Sequence, residues 1–247
     1  MDNLTIAAAS GLRSRMESLD LLANNLANSA TTGFKRDQEF YGLYSSADSA
    51  DPVNGGPNST LPTVEKQWTD FSAGMMQDTG NPLDVALSGN GFLAVNGPNG
   101  TLYTRAGNLK VLGTGDLATN DGYALRSAAG GTIKVSPGKP LSISPDGTVQ
   151  QGGQTVGQME VVSFKSNDSL QKMGSTCFQN PNAKNPAVPA TDVTVQQGKV
   201  ETSNVPVAEA AMRLVGVMRQ FEMLQKAIGV SNDMDSKTIQ EVARVGS

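Results

Sequence analysis

Both ends of the chain carry apolar stripes at helical spacing, and this constrains the fold more than any other feature. Over residues 2 to about 30, Ala8, Leu12, Met16, Leu19, Ala23 and Leu26 follow one another at intervals of 4, 4, 3, 4 and 3. That is close to a heptad stripe, flanked by Arg13, Arg15, Glu17 and Asp20. Asn24, Asn25 and Asn28 close it, and Thr31-Thr32-Gly33 supplies a stop with a glycine free to take positive φ. Asn25 and Asn28 read either as helix terminators or as polar groups that hydrogen-bond across a helix seam and fix its register.

The second stripe begins after Pro206, which costs no hydrogen bond at a helix start, with Glu209 placed to suit the helix dipole. Val207, Ala211, Leu214, Met218, Phe221, Leu224 and Ile228 follow at intervals of 4, 3, 4, 3, 3 and 4. Arg213, Arg219, Glu222 and Lys226 occupy the opposite face. Gly229 and Ser231-Asn232 weaken the pattern, and Met234, Ile239 and Val242 carry it on towards Val245. An isolated helix of such length is marginal in water. Both ends are therefore expected to order only by packing together or against neighbours.

Between the stripes the period changes to two. Phe92-Leu93-Ala94-Val95, the turn residues Asn96 to Gly100, and Thr101-Leu102-Tyr103-Thr104 compose a hairpin. Leu117-Ala118-Thr119 and Tyr123-Ala124-Leu125 repeat it around Asn120-Asp121-Gly122. Pro145-Asp146-Gly147 and Gln151-Gly152-Gly153 supply further turns, and Gly157 to Phe164 reads as another strand. The predicted class is α+β: heptad helices at both ends forming a coiled-coil-like layer, with a small antiparallel all-β domain between them. The predicted boundaries are an N-terminal helix over 1–33, an extended linker over 34–83, the β domain over 84–165, a returning linker over 166–203 and the C-terminal helix over 204–247. Within the first linker, residues 45–62 are polar and rich in Gly and Pro, and read as loop.

Composition then removes whole classes of chemistry. The chain has no histidine and one cysteine, which excludes Ser-His-Asp and Cys-His catalysis, His-based metal sites and CxxC motifs. Lys+Arg 19 against Asp+Glu 23 gives a net charge of -4, which argues against nucleic acid as a partner. No run approaches the ~18 apolar residues of a membrane span. Met1 to Gly11 lacks a basic segment followed by an apolar one, so a cleaved secretory signal is not expected. Asn120-Asp121-Gly122 and Pro145-Asp146-Gly147 lack the ligand spacing of a calcium loop and read as turns. Gly89-Asn90-Gly91 and Gly113-Thr114-Gly115 lack the third glycine of a dinucleotide fingerprint. Nothing fixes Glu65, Asp84 and Glu160 at glycosidase separations, and Cys177, without a base, reads as a bystander. No catalytic residue, metal or cofactor is predicted.

Three segments carry a family resemblance. Leu21-Leu22-Ala23-Asn24-Asn25-Leu26-Ala27-Asn28 with Thr31-Thr32-Gly33-Phe34-Lys35-Arg36 resembles the N-terminal signature of the bacterial flagellar axial proteins, the rod and hook family. Gly89 to Val95, Tyr103-Thr104-Arg105-Ala106-Gly107-Asn108-Leu109, Gly115 to Thr119 and Gly122-Tyr123 are similar to its β core. Gly198 to Val205, with Arg219-Gln220-Phe221-Glu222-Met223, resembles its closing motif. Leu109 and the turn Leu112 to Gly115 depart from the pattern, which bears on subtype alone. Length and a single small β domain resemble the rod members rather than the hook, and those of the proximal rod before those of the distal rod.

The resemblance implies a non-catalytic subunit of the basal-body rod, stacked helically about a hollow axis, that carries torque across the periplasm. It implies the terminal helices as the inner layer and the β domain outside. The seams would be Leu12, Met16, Leu19, Ala23, Asn25, Leu26 and Asn28 at one end, and Val207, Ala211, Leu214, Met218, Phe221, Leu224 and Ile228 at the other. The implied partners are like and unlike axial subunits and the dedicated flagellar export apparatus, with export independent of a cleaved signal. A secreted β-rich binding module with coiled-coil termini is the rival, and it would need a polar pocket that no motif supplies.

Overall fold

The computed structural model describes residues 3–45 and 60–245. Most of the loop read over 45–62 lies outside the described residues. The chain forms two compact units: a helical one of residues 1–27, 37–68 and 206–247, and a β unit of residues 28–36 and 69–205.

In the helical unit, α1 (Asn3–Ala27) packs against α2 (Val207–Val245). Gly11 lies against Leu224, where an added Cβ would stand 3.6 Å from Cδ1. α2 runs unbroken for 39 residues, through Gly229 and Ser231-Asn232. One glycine costs only ~1 kcal/mol, and a long packed helix absorbs it. Strands Asp37–Ser45 and Thr60–Thr69 pair with each other inside the stretch read as a linker. Aromatic and β-branched residues such as Phe40, Tyr41, Tyr44 and Val64 favour an extended backbone there.

The faces that α1 and α2 bury differ from the stripes in phase. On α1 the buried line is Ser14, Ser18, Leu22 and Asn25, while Leu12, Leu19 and Leu26 are half-buried and Met16 and Ala23 exposed. A hydrophobicity pattern passes over serine, yet small side chains permit close helix approach. The Ser18 hydroxyl satisfies itself by donating to the Ser14 carbonyl at 3.0 Å. On α2, Ala211, Leu214, Phe221, Leu224 and Ile228 are half-buried, whereas Val207 and Met218 are exposed and Val217 takes the inward position. A straight helix drifts ~20° per heptad from a 3.5-residue stripe, which carries the heptad residues off the contact line.

The β unit is antiparallel throughout. Its nine-stranded sheet runs in the order Gln171–Met173, Cys177–Gln179, Gly100–Thr104, Phe92–Gly97, Ala124–Leu125, Leu117–Thr119, Leu109–Val111, and Val161–Ser163 pairs with both Phe92–Gly97 and Val188–Pro189. Leu141–Ile143, Thr148–Gln151 and Gln154–Gln158 form a three-stranded sheet. The hairpin expected around Pro98-Asn99 forms with Gly97 opposite Gly100, and the one around Asn120 to Gly122 with Ala118 opposite Ala124. The stretch read as a linker over 166–203 belongs to the sheets. Thr194–Gln197 pairs with Val85–Ser88, and Lys199–Glu201 with Met76–Asp78. These strands are two to four residues long, too short for periodicity to reveal, and long-range pairing defines them.

Two cores fill the unit. One gathers aliphatic residues including Val85, Leu87, Leu93, Val95, Leu117, Leu125, Ile133 and Val149. The other gathers Phe92, Phe178, Phe71, Tyr103 and Phe164. Phe71 meets Phe92 edge-on at a centroid distance of 5.7 Å. Five of the chain's 12 aromatic residues (1 Trp, 4 Tyr, 7 Phe) thus serve one cluster. Cys177 lies in a core strand, and burial pushes its thiol up.

Candidate functional site

The most unusual chemistry in the β unit is a buried cluster of charges drawn from all three segments that carry the family resemblance. Lys35 follows the turn at Gly33, Arg105 follows strand Gly100–Thr104, and Glu201 ends strand Lys199–Glu201. The side chains of Lys35 and Glu201 are each 1% exposed and that of Arg105 is 5% exposed. Lys35 Nζ lies 2.5 Å from Glu201 Oε1, and Arg105 Nη1 lies 3.2 Å from Oε2. The Gly74 N–H donates to Oε1 at 2.9 Å, so the one carboxylate collects three donors.

Two cations share this single carboxylate, and main-chain carbonyls offset the excess positive charge. Lys35 also donates to the Ser72 carbonyl at 2.7 Å. Arg105 donates to the carbonyls of Leu87 at 3.1 Å and Gly89 at 2.6 Å, with its guanidinium 5.4 Å from the Phe92 ring centroid. Burial pulls the pKa of Lys35 down and the adjacent Glu201 carboxylate pulls it back, with a net lowering. Lys172 caps the segment from the other side, donating to the Lys35 carbonyl at 2.7 Å with its ammonium 4.3 Å from the Phe34 ring centroid.

Local sequence makes the convergence possible. Gly33 has φ +69°, and a Cβ there would stand 2.3 Å from the Ala106 nitrogen. Only glycine lets the chain leaving α1 lie directly on the Arg105–Ala106 backbone. Its N–H donates to the Glu201 carbonyl at 2.7 Å. Gly33→Ala is expected to cost more than the ~1–2 kcal/mol of a left-handed alanine, because the clash is with backbone. Chemical denaturation of the purified protein measures this as a lowered midpoint.

Next to the cluster, Arg36, Asp70 and Asn204 tie together the points where the chain leaves the β unit. The Arg36 guanidinium lies 2.9 Å from Asp70 Oδ2. Asn204 Oδ1 accepts from the Arg36 N–H at 2.8 Å while its Nδ2 donates to the Asp70 carbonyl at 2.8 Å. Burial raises the Asp70 pKa, but hydrogen bonds from Ser72 and then the Arg36 guanidinium outweigh it and hold the carboxyl below 3.8. A depressed carboxyl contributes stability that is present above 3.8 and lost as pH falls through its folded value. Asp70→Asn is therefore expected to flatten the acid limb of the stability–pH curve below about pH 4, measured by urea titrations across that range.

Within the chain, Asn25 pairs with the backbone of Asp37. Its Nδ2 donates to the Asp37 carbonyl at 2.7 Å, and its Oδ1 accepts from the Asp37 N–H at 3.0 Å. The amide thus mimics a strand partner for one residue of backbone within the helical unit, and both of its atoms are used inside the chain. Asn28 closes the turn after α1: its carbonyl accepts from the Thr31 N–H at 3.1 Å and its side chain from the Thr31 hydroxyl at 3.3 Å.

Sequence reasoning did not single out Lys35, Arg105 or Glu201, although each stands within a quoted signature segment. Only Arg105, in Thr104-Arg105-Ala106-Gly107, stands as a lone charge among small neighbours; Lys35 is followed by Arg36 and Asp37, and Glu201 follows Lys199 at two residues, so neither stands out. Fully buried charges are rare unless paired. What the sequence lacks is the pairing across 166 residues. The Lys35 ammonium, the two terminal nitrogens of Arg105 and the Glu201 carboxylate are each engaged by another part of the chain, so the cluster locks three separate segments of the β unit together.

A helical unit built on the two ends of the chain and an antiparallel β unit with a buried charge cluster make up the fold. Residues 86–151 match the family described as flagellar hook protein FlgE/F/G D1 domain, and residues 196–241 match the flagellar basal body rod FlgEFG protein C-terminal family. The chain is 30% identical to the flagellar basal-body rod protein FlgG of Bacillus subtilis, over 91% of this chain and 93% of that one. It is 31% identical to FlgG of Buchnera aphidicola from Schizaphis graminum, over 93% and 96%. It is 28% identical to the basal-body rod protein FlgF of Caulobacter vibrioides, over 99% and 100%. The chain belongs to the flagellar FlgE/F/G family of hook and basal-body rod proteins.

Proposed function

We propose that this chain is a structural subunit of the bacterial flagellar basal-body rod, placed in its proximal part, which polymerises helically through α1 and α2. The observation that carries the reading is the match to basal-body rod proteins along nearly the whole chain, both helices and the β unit included. The form of the C-terminal helix and the run Gly91 to Leu109 support the proximal position. No enzymatic step is assigned to it. Its work is done by contact surfaces, which suits a chain without a single histidine.

The physics of such an assembly follows from the two units. A contact between unlike surfaces that does not close on itself generates a helical tube. The terminal helices form a coiled-coil-like layer lining the export channel, and the β unit stands outside. Torque then has to pass along the chain between the two units. Arg36, Asp70 and Asn204 stiffen the exits from the β unit, and the buried Lys35–Glu201–Arg105 lock holds those exits in place. Axial subunits above, below and beside it are the partners, together with the flagellar export apparatus.

Unfolded termini suit passage through a narrow channel. None of the seven seam residues of α2 is fully buried within the chain, so the helices gain little from folding alone. Dilute purified protein is expected to show weak helical circular dichroism beside a cooperatively melting β unit. A strong, cooperative helix signal at micromolar concentration would mean that the helices need no neighbours. Deleting the gene tests position: basal bodies should stop before a rod crosses the periplasm. Basal bodies whose rod crosses it and stops only before the hook would move the chain to the distal rod.

A further inference from the structure

Asparagine followed by glycine occurs at Asn54, Asn90, Asn96 and Asn99. Such a pair is reactive wherever the backbone can bend, because glycine has no Cβ to hold its nitrogen away from the asparagine side chain. Asn54 lies outside the described residues. The fold treats the other three differently. A Cβ on Gly91 would stand 2.9 Å from Val193 Cγ2 and 3.3 Å from the Val162 carbonyl oxygen, so the peptide after Asn90 is walled in. A Cβ on Gly97 would stand 2.5 Å from Leu102 Cγ. Asn96 itself is paired with Thr101 on one side and Ala124 on the other, and its Oδ1 accepts from Arg126 at 3.2 Å.

Asn99 is held by none of these means. It is exposed with Gly100 at the tip of the hairpin, and its side chain has no hydrogen-bonding partner among the described residues. Around Gly100, apart from its chain neighbours, no heavy atom of the described residues lies within 4 Å of an added Cβ. Gly97 and Gly100 are the last pair of their ladder, where local opening costs least.

We propose that Asn99 is a site of spontaneous covalent modification, at which the side-chain amide becomes a carboxylate through a cyclic imide formed with Gly100. The Gly100 main-chain nitrogen gives its proton to solvent base and attacks Asn99 Cγ. The bond from Cγ to the amide nitrogen breaks, ammonia leaves with a proton taken from water, and a five-membered succinimide closes. Water then adds to one of the two ring carbonyls. Breaking the bond from Cγ to the Gly100 nitrogen gives aspartate. Breaking the original main-chain bond gives isoaspartate, whose chain runs on through the side-chain carbon. No electron is transferred, and water and base are the only co-reactants. At Asn96 the same ring closure first requires two strand pairings to open, and at Asn90 it requires packed valines to move.

Either product places a negative charge at the tip. Isoaspartate also adds one carbon to the main chain, which the two-residue turn Pro98-Asn99 takes up by giving up the Gly97–Gly100 pair. The pairs behind it, Asn96–Thr101 and Val95–Leu102, are held from outside, because Phe92–Gly97 also pairs with Ala124–Leu125 and Gly100–Thr104 with Cys177–Gln179. The change therefore stays at the tip, and an aged chain presents an exposed isoaspartyl carboxylate to any carboxyl methyltransferase specific for that group. The proposal stands apart from the rod reading.

The test incubates the purified full chain at mildly alkaline pH, folded in one sample and unfolded in urea in another. Peptide mapping with fragmentation follows the mass gained when an amide NH2 becomes OH. Transfer of a labelled methyl group from S-adenosylmethionine by an isoaspartyl methyltransferase reports the isoaspartate. In the folded chain Asn99 should convert about tenfold or more faster than Asn90 and Asn96, while in urea the three rates should converge. Asn99→Gln, whose extra methylene disfavours ring closure, should lose both signals at this position and keep the parent's unfolding midpoint. A folded chain in which Asn99 reacts no faster than Asn90 or Asn96, or stays unchanged over a period that converts all three in urea, overturns the proposal.

Discussion

Replacing Glu201 with alanine should unfold the β unit or bring it to the edge of unfolding. The substitution removes the carboxylate that Lys35 and Arg105 share and leaves two buried cations facing each other's field. Removing one partner of a buried pair costs about 3–5 kcal/mol, against a typical domain stability of ~5–15 kcal/mol. The cost falls where the chain segments 28–36, 69–78 and 198–205 are held, so loss of folding and loss of assembly should coincide. Urea unfolding followed by the near-ultraviolet signal of the Phe71, Phe92, Tyr103, Phe164 and Phe178 cluster reads the first. Motility reads the second. Changing the cluster as a whole, with Lys35→Met, Arg105→Met and Glu201→Leu together, should be less damaging than Glu201→Ala, because no unpaired charge remains. A single substitution that leaves the unfolding midpoint within ~0.5 kcal/mol of the parent would show that water reaches the cluster and the lock is not one.

Leu214→Asp should have the opposite profile: a folded β unit and no assembly. Leu214 sits on the half-buried face of α2. The substitution gives up about 1.5–3 kcal/mol of apolar burial and adds the desolvation of a carboxylate on a helix that is marginal without its neighbours. The near-ultraviolet spectrum should be that of the parent, while purified basal bodies should lack the chain and cells should not swim. Gln220→Asp, on the exposed side of the same helix, places the same charge where burial is not lost and should leave the α1–α2 pairing intact. Normal swimming of the Leu214→Asp strain would show that this face carries no assembly contact.

The contrast between these two substitutions marks what was legible in the sequence. The helices, their polar ends and the turn at Gly33 follow from periodicity and local chemistry, which act within a few residues. The hairpins around Pro98-Asn99 and Asn120 to Gly122 are legible for the same reason. The strands of residues 166–203 are not, because segments as short as Lys199–Glu201 take their conformation from a partner such as Met76–Asp78. The face that α1 buries was missed because it is built on Ser14 and Ser18, whose polarity hides the close packing they allow. The lock was missed because charge in a sequence is read as surface. Only the fold brings Lys35, Arg105 and Glu201 together, and only then is their burial affordable. Within the chain, Val217 rather than Met218 is half-buried on α2, which follows from the drift between a heptad and a straight helix.

The central claim is the proposal that the chain is a rod subunit whose helices form the inner layer and whose β unit stands outside. Imaging of basal bodies purified from the native strain tests it most directly. The account predicts density within the rod that fits the β unit of residues 69–205 on the outside, with two helical rods of density from the same subunit lining the channel. A rod complete without this density, or one in which the β unit faces the channel and the helices face outward, would contradict it.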